Sequence, residues 1–517
     1  MASDTEPAMT IPHLALAAAR DWPDDIAIVD GKRQITFAEL AQEMKAAAAG
    51  FVAAGLSEGE RVALWAQNSA DWIVVCLGLQ AAGGVLIPLN TRYREGEVAD
   101  IIERSAAAMG VATEEFLGFR YADTLNSLDI PTLRKVVSLD GNEWDAFLAA
   151  GSGYGREVER RIAALSGGDL GDILFTSGTT GAPKGVMATH EQTVRTARLW
   201  ANATTITHGD GFLILWPFFH CAGYKAGWVV NLAVGATTLP MAQLEVGELV
   251  DLVEREQVTF LPGPPTLFQT LLTDSAFDRD KISSVRVSIT GAASVPPQLI
   301  TDMRETLGIP TVLTGYGLTE ACGTVTMTGP SDPPEIIVRS CGKPIEGIEL
   351  KLVDEDGKVV AGSEPGRVFV RGYNVMQGYL DNPEATAEAI DPEGWLDTGD
   401  IGVMDDDGYL TITDRSKDMF ISGGFNCYPA EIEAMLMAHP DIAQVAVKGI
   451  PDERLGEICA AWIIPANGSS PTDKQIVSWA REKMANFKVP RAISFVEDLP
   501  RNATGKVQKF LLPEIQQ

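Results

Sequence analysis

Residues 175–185 read FTSGTTGAPKG, directly after Gly171-Asp172-Ile173-Leu174, which reads as a short buried strand bounded by glycine. A strand that ends in Ser, Thr and Gly turns hydroxyls and open backbone N–H groups toward one ligand. Glycine lets the backbone come close, Thr176, Ser177, Thr179 and Thr180 supply hydrogen bonds, and Lys184 supplies charge. That chemistry suits a polyphosphate. The run is not a Walker loop, which needs Gly-Lys-Ser/Thr at its end; here Pro183 precedes Lys184 and Gly185 follows it. Standing alone, it reads equally well as a flexible surface turn. The rest of the chain decides between the two.

Outward from this run the pattern is α/β. Arg61–Trp65 reads as a strand, Ser69–Ala82 as a helix with Ser69 as N-cap, and Val85–Leu89 as a strand. Strand–helix–strand order argues for parallel α/β layers. Further strand candidates are Phe212–Leu215, Thr259–Leu261, Val285–Ile289 and Thr311–Leu313, each followed by a Gly- or Pro-rich turn. In open α/β sheets ligands sit at the C-terminal ends of strands, so several of these turns can converge on one crevice. From about Glu346 the texture becomes β-rich, with strands expected at Ile348–Val353, Arg367–Arg371 and Tyr409–Thr413. A small α+β unit follows, with helices at Pro429–Ala438 and Thr472–Ala485 and strands at Ala443–Gly449, Ile458–Ile464 and Ile493–Val496. The boundary falls at Asp414–Asp418.

The chain has 517 residues, enough for roughly three domain-sized units. Lys and Arg number 41 against 70 Asp and Glu, a formal charge of −29. That balance disfavours a nucleic-acid or anionic-membrane surface, and any anionic ligand needs local positive groups. Cys76, Cys221, Cys322, Cys341, Cys427 and Cys459 form no close pair, so no zinc or redox motif is visible. Scattered single thiols fit a reducing compartment, and a cytoplasmic location is expected. The start, MASDTEPAMT, lacks the basic and apolar regions of a signal peptide. The longest apolar stretch, Ile73–Leu89, is broken by Gln80 and two glycines and reads as helix then strand, so no transmembrane segment is expected.

Four more runs carry chemistry. TGYGLTEACG (314–323) offers an aromatic, a hydroxyl and a carboxylate within five positions. Tyr316 can pack near a purine, Thr319 can bond a phosphate and Glu320 can hold hydrated Mg²⁺, which favours one or two carboxylates plus phosphate oxygens. GWLDTGD (394–400) and TDRSKDMFISGGFNCYPAEIE (413–433) bring Asp400 and Arg415, an acceptor and a donor for ribose hydroxyls. PRNATGKV (500–507) ends in Lys506 after a glycine. Taken singly, each reads as a turn or a solvated charge.

Together, in this order and spacing, the five runs resemble the adenylate-forming superfamily of acyl- and aryl-CoA synthetases, peptide-synthetase adenylation domains and beetle luciferase. The resemblance covers nearly the whole chain, from ITFAEL (35–40) to Lys506. It implies an α/β fold with a large N-terminal domain, residues 1–415, of layered α/β subdomains plus a β-barrel-like part. A small mobile α+β C-terminal lid, residues 416–517, would follow, hinged near Lys417. It implies that Thr176, Ser177, Gly178, Thr179, Thr180, Gly181 and Lys184 grip the ATP phosphates, with Thr180 joining Glu320 at the magnesium. Gly291, Ala292 and Ala293 would form part of the wall beside the adenine and acyl group, Tyr316 would lie against the adenine, and Gly315 and Gly317 beside it would belong to the same nucleotide site. Thr319 would bond the α-phosphate, Asp400 and Arg415 the ribose, and Lys506 would be the catalytic lysine. Ser422, Gly423 and Gly424 would line the passage for the pantetheine arm.

The implied reaction joins a carboxylate to the α-phosphate of ATP, expels pyrophosphate, and passes the acyl group to coenzyme A. Cofactors would be ATP, Mg²⁺ and coenzyme A. Relatives are commonly homodimers, and PRNATGK resembles the target of a lysine acetyltransferase acting on Lys506. The acyl pocket would borrow from WPFFHCAGYKAG (216–227), with His220 a gate near the carboxylate. No acid occurs between Phe212 and Val234, which disfavours an amino-acid substrate and favours an apolar, keto or alicyclic acid. Lys225 in that wall is expected to snorkel to solvent, or else to contact a substrate carbonyl. PFFHCAGYKAG, LPGPPTLFQTLL, GGFNCYPAEIE and MANFKVPR look most like bacterial synthetases of steroid degradation, including one acting on a bicyclic dione propanoate; medium-chain and aryl-propanoate ligases look similar. Cys427 and Leu318 depart from family habit without removing a chemical role. Competing readings are an enzyme loading a carrier-protein pantetheine, a luciferase-like oxygenase, and a silent nucleotide-binding regulator. The intact Thr319, Glu320, Asp400, Arg415 and Lys506 argue against the last.

Overall fold

Helix Ala70–Ala81 sits at the centre of the large domain. Its sequence, ADWIVVCLGLQA, is apolar all round, and all but Asp71 of its residues are buried. A helix without a polar face has no side for water and must be covered on every side. Ser69 caps it by accepting from the Trp72 amide at 3.2 Å, as the sequence predicts. Helix Phe37–Ala53 packs along it, entered through a capping box in which Thr36 and Glu39 bond each other's backbone amides. Gly78 lies in that contact: a Cβ there would meet the Ala47 methyl at 2.4 Å.

The computed structural model describes residues 9–515 except 140, 177–182, 275–276, 292–294, 355, 361–363, 416–419, 423–424, 428, 453–454, 485 and 502–506. A seven-stranded sheet runs in spatial order Gly378–Tyr379, Lys184–Thr189, Leu170–Thr176, Val85–Pro88, Arg61–Trp65, Met109–Ala112 and Lys135–Ser138. Its last five strands are parallel, and the two flanking strands join antiparallel at the other edge. A second set pairs Gly211–Ile214 with Thr237–Pro240 and Ile26–Asp30, and a third pairs Val287–Gly291 with Thr311–Tyr316 in parallel. The expected strand Thr259–Leu261 is reduced to single parallel bridges at Phe260, to Phe212 and to Val287, which join these two sets. The correction has a physical cause: Pro262, Pro264 and Pro265 close in on the segment and cannot donate to a ladder.

The β-rich part is a five-stranded antiparallel sheet that ends in Leu396–Met404 and Leu410–Arg415. Beyond it, Phe420–Ser422, Phe425–Cys427, Ile442–Asp452, Gly456–Pro465 and Ala492–Phe495 form a separate sheet, with helices Pro429–Leu436 and Asp473–Lys483. The protein is thus a mixed α/β molecule with a large N-terminal and a smaller C-terminal domain. No helix among the described residues is long and apolar enough to cross a membrane.

His190 opens helix His190–Thr204 and is buried. Burial, with help from His13 and Lys225, pushes its imidazole down to about 3. The folded protein therefore keeps His190 neutral where the unfolded chain, near 6.5, takes up a proton. Because the unfolded state binds more protons between those values, stability falls as pH drops from about 6.5 toward 3, by up to about 1.4 kcal/mol per unit. Chemical denaturation across pH 4–7 should show this slope, and His190→Gln should flatten it.

Candidate active site

The hairpin of Leu170–Thr176 and Lys184–Thr189 places Thr176 opposite Lys184 in register, at the mouth of the loop between them. Thr176 Oγ1 donates to the Lys184 carbonyl at 3.4 Å. The Lys184 ammonium stands 4.7 Å above the centre of the Tyr379 ring, a cation–π contact. The Tyr379 hydroxyl in turn donates to Glu320 Oε1 at 3.0 Å. One tyrosine thus brings the first run and the TGYGLTEACG run together. Burial, then the negative charge of Glu320, push the Tyr379 hydroxyl well above its ordinary range, so it remains a donor.

The Glu320 turn is tightly built. Thr319–Ala321 is a single 3₁₀ turn, and Cys322 then takes a left-handed conformation with φ 51°. The Gly323 amide closes back on the Leu318 carbonyl at 2.9 Å. Gly317 is required here, because a Cβ would sit 2.0 Å from the Gly323 carbonyl oxygen. Asn374 donates to the carbonyls of Ala321 (3.2 Å) and Thr324 (2.8 Å), and the Met376 amide to that of Glu320 (2.8 Å). The carboxylate is held in place, yet among the described residues it makes no ion pair. Clusters of three or more metal-binding side chains are also absent among those residues. A lone oriented carboxylate beside a phosphate-type loop fits Mg²⁺, which takes few protein ligands and keeps waters and phosphate oxygens.

Tyr316, at the end of Thr311–Tyr316, donates to Asp400 Oδ2 at 2.5 Å. Asp400 is buried and pairs through its backbone with Arg415 across the antiparallel ladder. Gly291 lies level with Gly315 on the neighbouring parallel strand. The adenine-side and ribose-side candidates therefore share one wall. His220 caps the short turn Cys221–Gly223, accepting from the Ala222 amide at 3.2 Å, with the Cys221 sulfur 3.8 Å from its Nδ1. Ser422 is buried at the end of its strand in the small domain. Ser177, Gly178, Thr179, Thr180, Gly181, Ala292, Ala293, Lys417, Gly423, Gly424 and Lys506 lie outside the described residues, as does the side chain of Arg415.

Lys225 corrects the first of the two sequence expectations. Its side chain is 1 % exposed, so it does not snorkel, and its ammonium is paired with Asp172 Oδ1 at 2.8 Å, itself 0 % exposed. Burial pushes the Asp172 carboxyl up, against the pull of the Lys225 charge. For Lys225 burial acts downward, and Asp172 and then Cys322 more than offset it, leaving the ammonium raised. The sequence carries one signal of this: Asp172 lies in a strand that reads as buried, and a buried charge requires a partner. Tyr379 left less trace, being one aromatic in a two-residue edge strand.

A family model described as AMP-binding enzyme matches residues 16–380, and the AMP-binding enzyme C-terminal domain matches 431–506. The 3-[(3aS,4S,7aS)-7a-methyl-1,5-dioxo-octahydro-1H-inden-4-yl]propanoyl:CoA ligase of Mycobacterium tuberculosis is 43% identical over 98% of this chain and 99% of its own length. The ligase of the same name from Rhodococcus jostii is 43% identical over 99% of both chains. Among solved structures, the anthranilate CoA ligase AuaEII in complex with anthranoyl-AMP superposes with a TM-score of 0.85 at 28% identity, covering 99% of this chain and 98% of that one. The chain belongs to the AMP-binding enzyme family and is an AMP-forming acid–CoA ligase. Its cofactors and co-substrates are ATP, Mg²⁺ and coenzyme A.

Proposed function

We propose that this enzyme activates a propanoate carried on an oxygenated alicyclic ring system, of the steroid-derived type named for its two 43%-identical relatives. Likeness over nearly the full length, acyl segment included, carries this reading. The buried pair adds to it: Asp172 reaches the acyl segment from outside, but Lys225 already claims it, leaving no free acid there for a substrate amine. In our reading the loop from Thr176 to Lys184 holds the β- and γ-phosphates, and Glu320 with Thr180 holds Mg²⁺, which neutralises phosphate charge. Thr319 bonds the α-phosphate, Tyr316 packs on the adenine, Asp400 and Arg415 hold the ribose, and His220 faces the acid. Two anions must meet, so fixed positive charge in a dry site supplies the main catalytic term. Lys506 provides it in the first half-reaction.

The division at 415/416 and a hinge at Lys417 belong to the same reading: the small domain turns to swap Lys506 for the glycines after Ser422. Lys417→Pro should restrict φ and slow thioester formation from supplied acyl-AMP about tenfold more than adenylation, as expected when a conformational step gates one half-reaction. Stopped-flow assays of each half-reaction give the ratio; equal rates would count against the hinge. Acetylation of Lys506 would remove its charge and silence the first step, and a cytoplasmic homodimer is the expected setting. The substrate reading is tested with ring-dione, aryl, medium- and long-chain acids given ATP, Mg²⁺ and coenzyme A. Highest kcat/KM for the ring-bearing keto acid supports it; preference for a plain linear acid refutes it.

A further inference from the structure

Lys225 lies in Tyr224–Trp228, a one-turn π-helix with a non-helical residue at Gly227. Such bulges rotate side chains out of helical register and recur at functional sites. Here the bulge accompanies an inward lysine that touches two other parts of the chain. On one side is Asp172 at 2.8 Å, in the strand that runs four residues further to Thr176 and the phosphate-type loop. On the other is the Cys322 sulfur at 4.0 Å, in the turn that carries Thr319 and Glu320. The same segment touches that turn again, since a Cβ on Gly323 would lie 3.1 Å from Cys221 Cβ and Sγ. A third tie comes from helix Ala70–Ala81: Gln80 donates to the Gly171 carbonyl at 3.0 Å and to the Tyr224 hydroxyl at 2.9 Å. Phosphate strand, acyl segment and Glu320 turn are thus pinned at one buried point.

We propose that the Asp172–Lys225 ion pair is a positioning device for catalysis, fixing the turn of Thr319 and Glu320 relative to the phosphate-loop strand. The inference rests on the reading that Thr319 and Glu320 serve the α-phosphate and magnesium. A buried ion pair is a poor source of stability, because desolvation consumes most of the attraction and apolar replacements of similar size are often neutral. Retaining one beside a reaction site makes sense if orientation is what it supplies. Lys225 touches no reacting atom in this scheme and acts through Cys322 and its turn.

The test uses the full-length chain with Lys225→Met, Asp172→Leu and the double variant. Each is measured unloaded for Tm and for hydrogen exchange of residues 318–324, and then for adenylation by pyrophosphate release. Each single variant should lose Tm by leaving one charge buried, and the double variant should recover most of it. The double variant should still exchange faster at 318–324, and its kcat should fall at least about tenfold, since small displacements of catalytic groups cost that much and more. Its KM for the acid should stay within about threefold, as for a group acting only on the transition state. Wild-type exchange and kcat in the double variant would overturn the proposal, leaving the pair purely structural. So would a loss confined to KM for ketone-bearing acids, which would make Lys225 a substrate contact. Thr319→Val tests the underlying reading separately: wild-type adenylation would end that reading, while hydrogen exchange would still decide whether the pair fixes the turn.

Discussion

Lys506→Ala should slow adenylation by roughly 10²–10³, about 2.7–4 kcal/mol of transition-state stabilisation, the usual loss when one preorganised donor is removed from a developing charge. The reaction brings a carboxylate against the α-phosphate, and the described part of the site offers little to offset two anions. Lys184 stands over Tyr379 on the phosphate-loop side, Lys225 is neutralised by Asp172, and the whole chain carries −29. Beyond the charge that Mg²⁺ would supply to the phosphates, a further cation is needed where carboxylate and α-phosphate meet, and the lysine after Gly505 is our candidate. The loss should fall on the first half-reaction. Thioester formation from supplied acyl-AMP should stay near the wild-type rate, because in the proposed rotation Lys506 would have left the site by then. Equal losses in both steps, assayed separately, would remove the role.

The second large effect is on stability. Asp172→Leu alone leaves the Lys225 ammonium buried with no carboxylate against it among the described residues, its nearest remaining polar contact there the Cys322 thiol at 4.0 Å, and should destabilise the large domain by roughly 3–5 kcal/mol, the usual cost of an uncompensated buried charge. Lys225→Met should cost a similar amount by stranding the Asp172 carboxylate, while the double variant should lose far less than the sum. The two sites touch, so the shortfall from additivity is itself the measurement. Denaturant unfolding of the four proteins supplies it. Additive losses would show that the two charges do not meet in solution.

The legibility of this chain in its sequence divides along physical lines. Local signals read well. The Ser69 cap, the all-apolar helix behind it and the strands of the parallel sheet follow from short-range patterns, and the structure carries them within a residue or two. Ile348–Val353 is found with the predicted ends. Thr259–Leu261 failed because proline limited the ladder to one residue, which periodicity alone does not register. Within the site, the five runs were visible because each concentrates unusual residues in a few positions. The links between them were not. Tyr379 joins Lys184 and Glu320 across gaps of 195 and 59 residues, and Asp172 meets Lys225 across 53. Such pairs leave no periodic trace. The one available signal was energetic: a charged residue in an apolar strand and another in an apolar helix each need a partner, and each can be the other's.

The most direct test of the account is acid-dependent pyrophosphate release in the absence of coenzyme A. Mixed with Mg·ATP and the ring-bearing keto acid, the enzyme should release about one pyrophosphate per active site in a burst, as acyl-AMP held in the site accumulates and blocks a second turnover. Adding coenzyme A should then yield thioester and AMP. Release of ADP and phosphate, or no nucleotide turnover until coenzyme A is present, would contradict it.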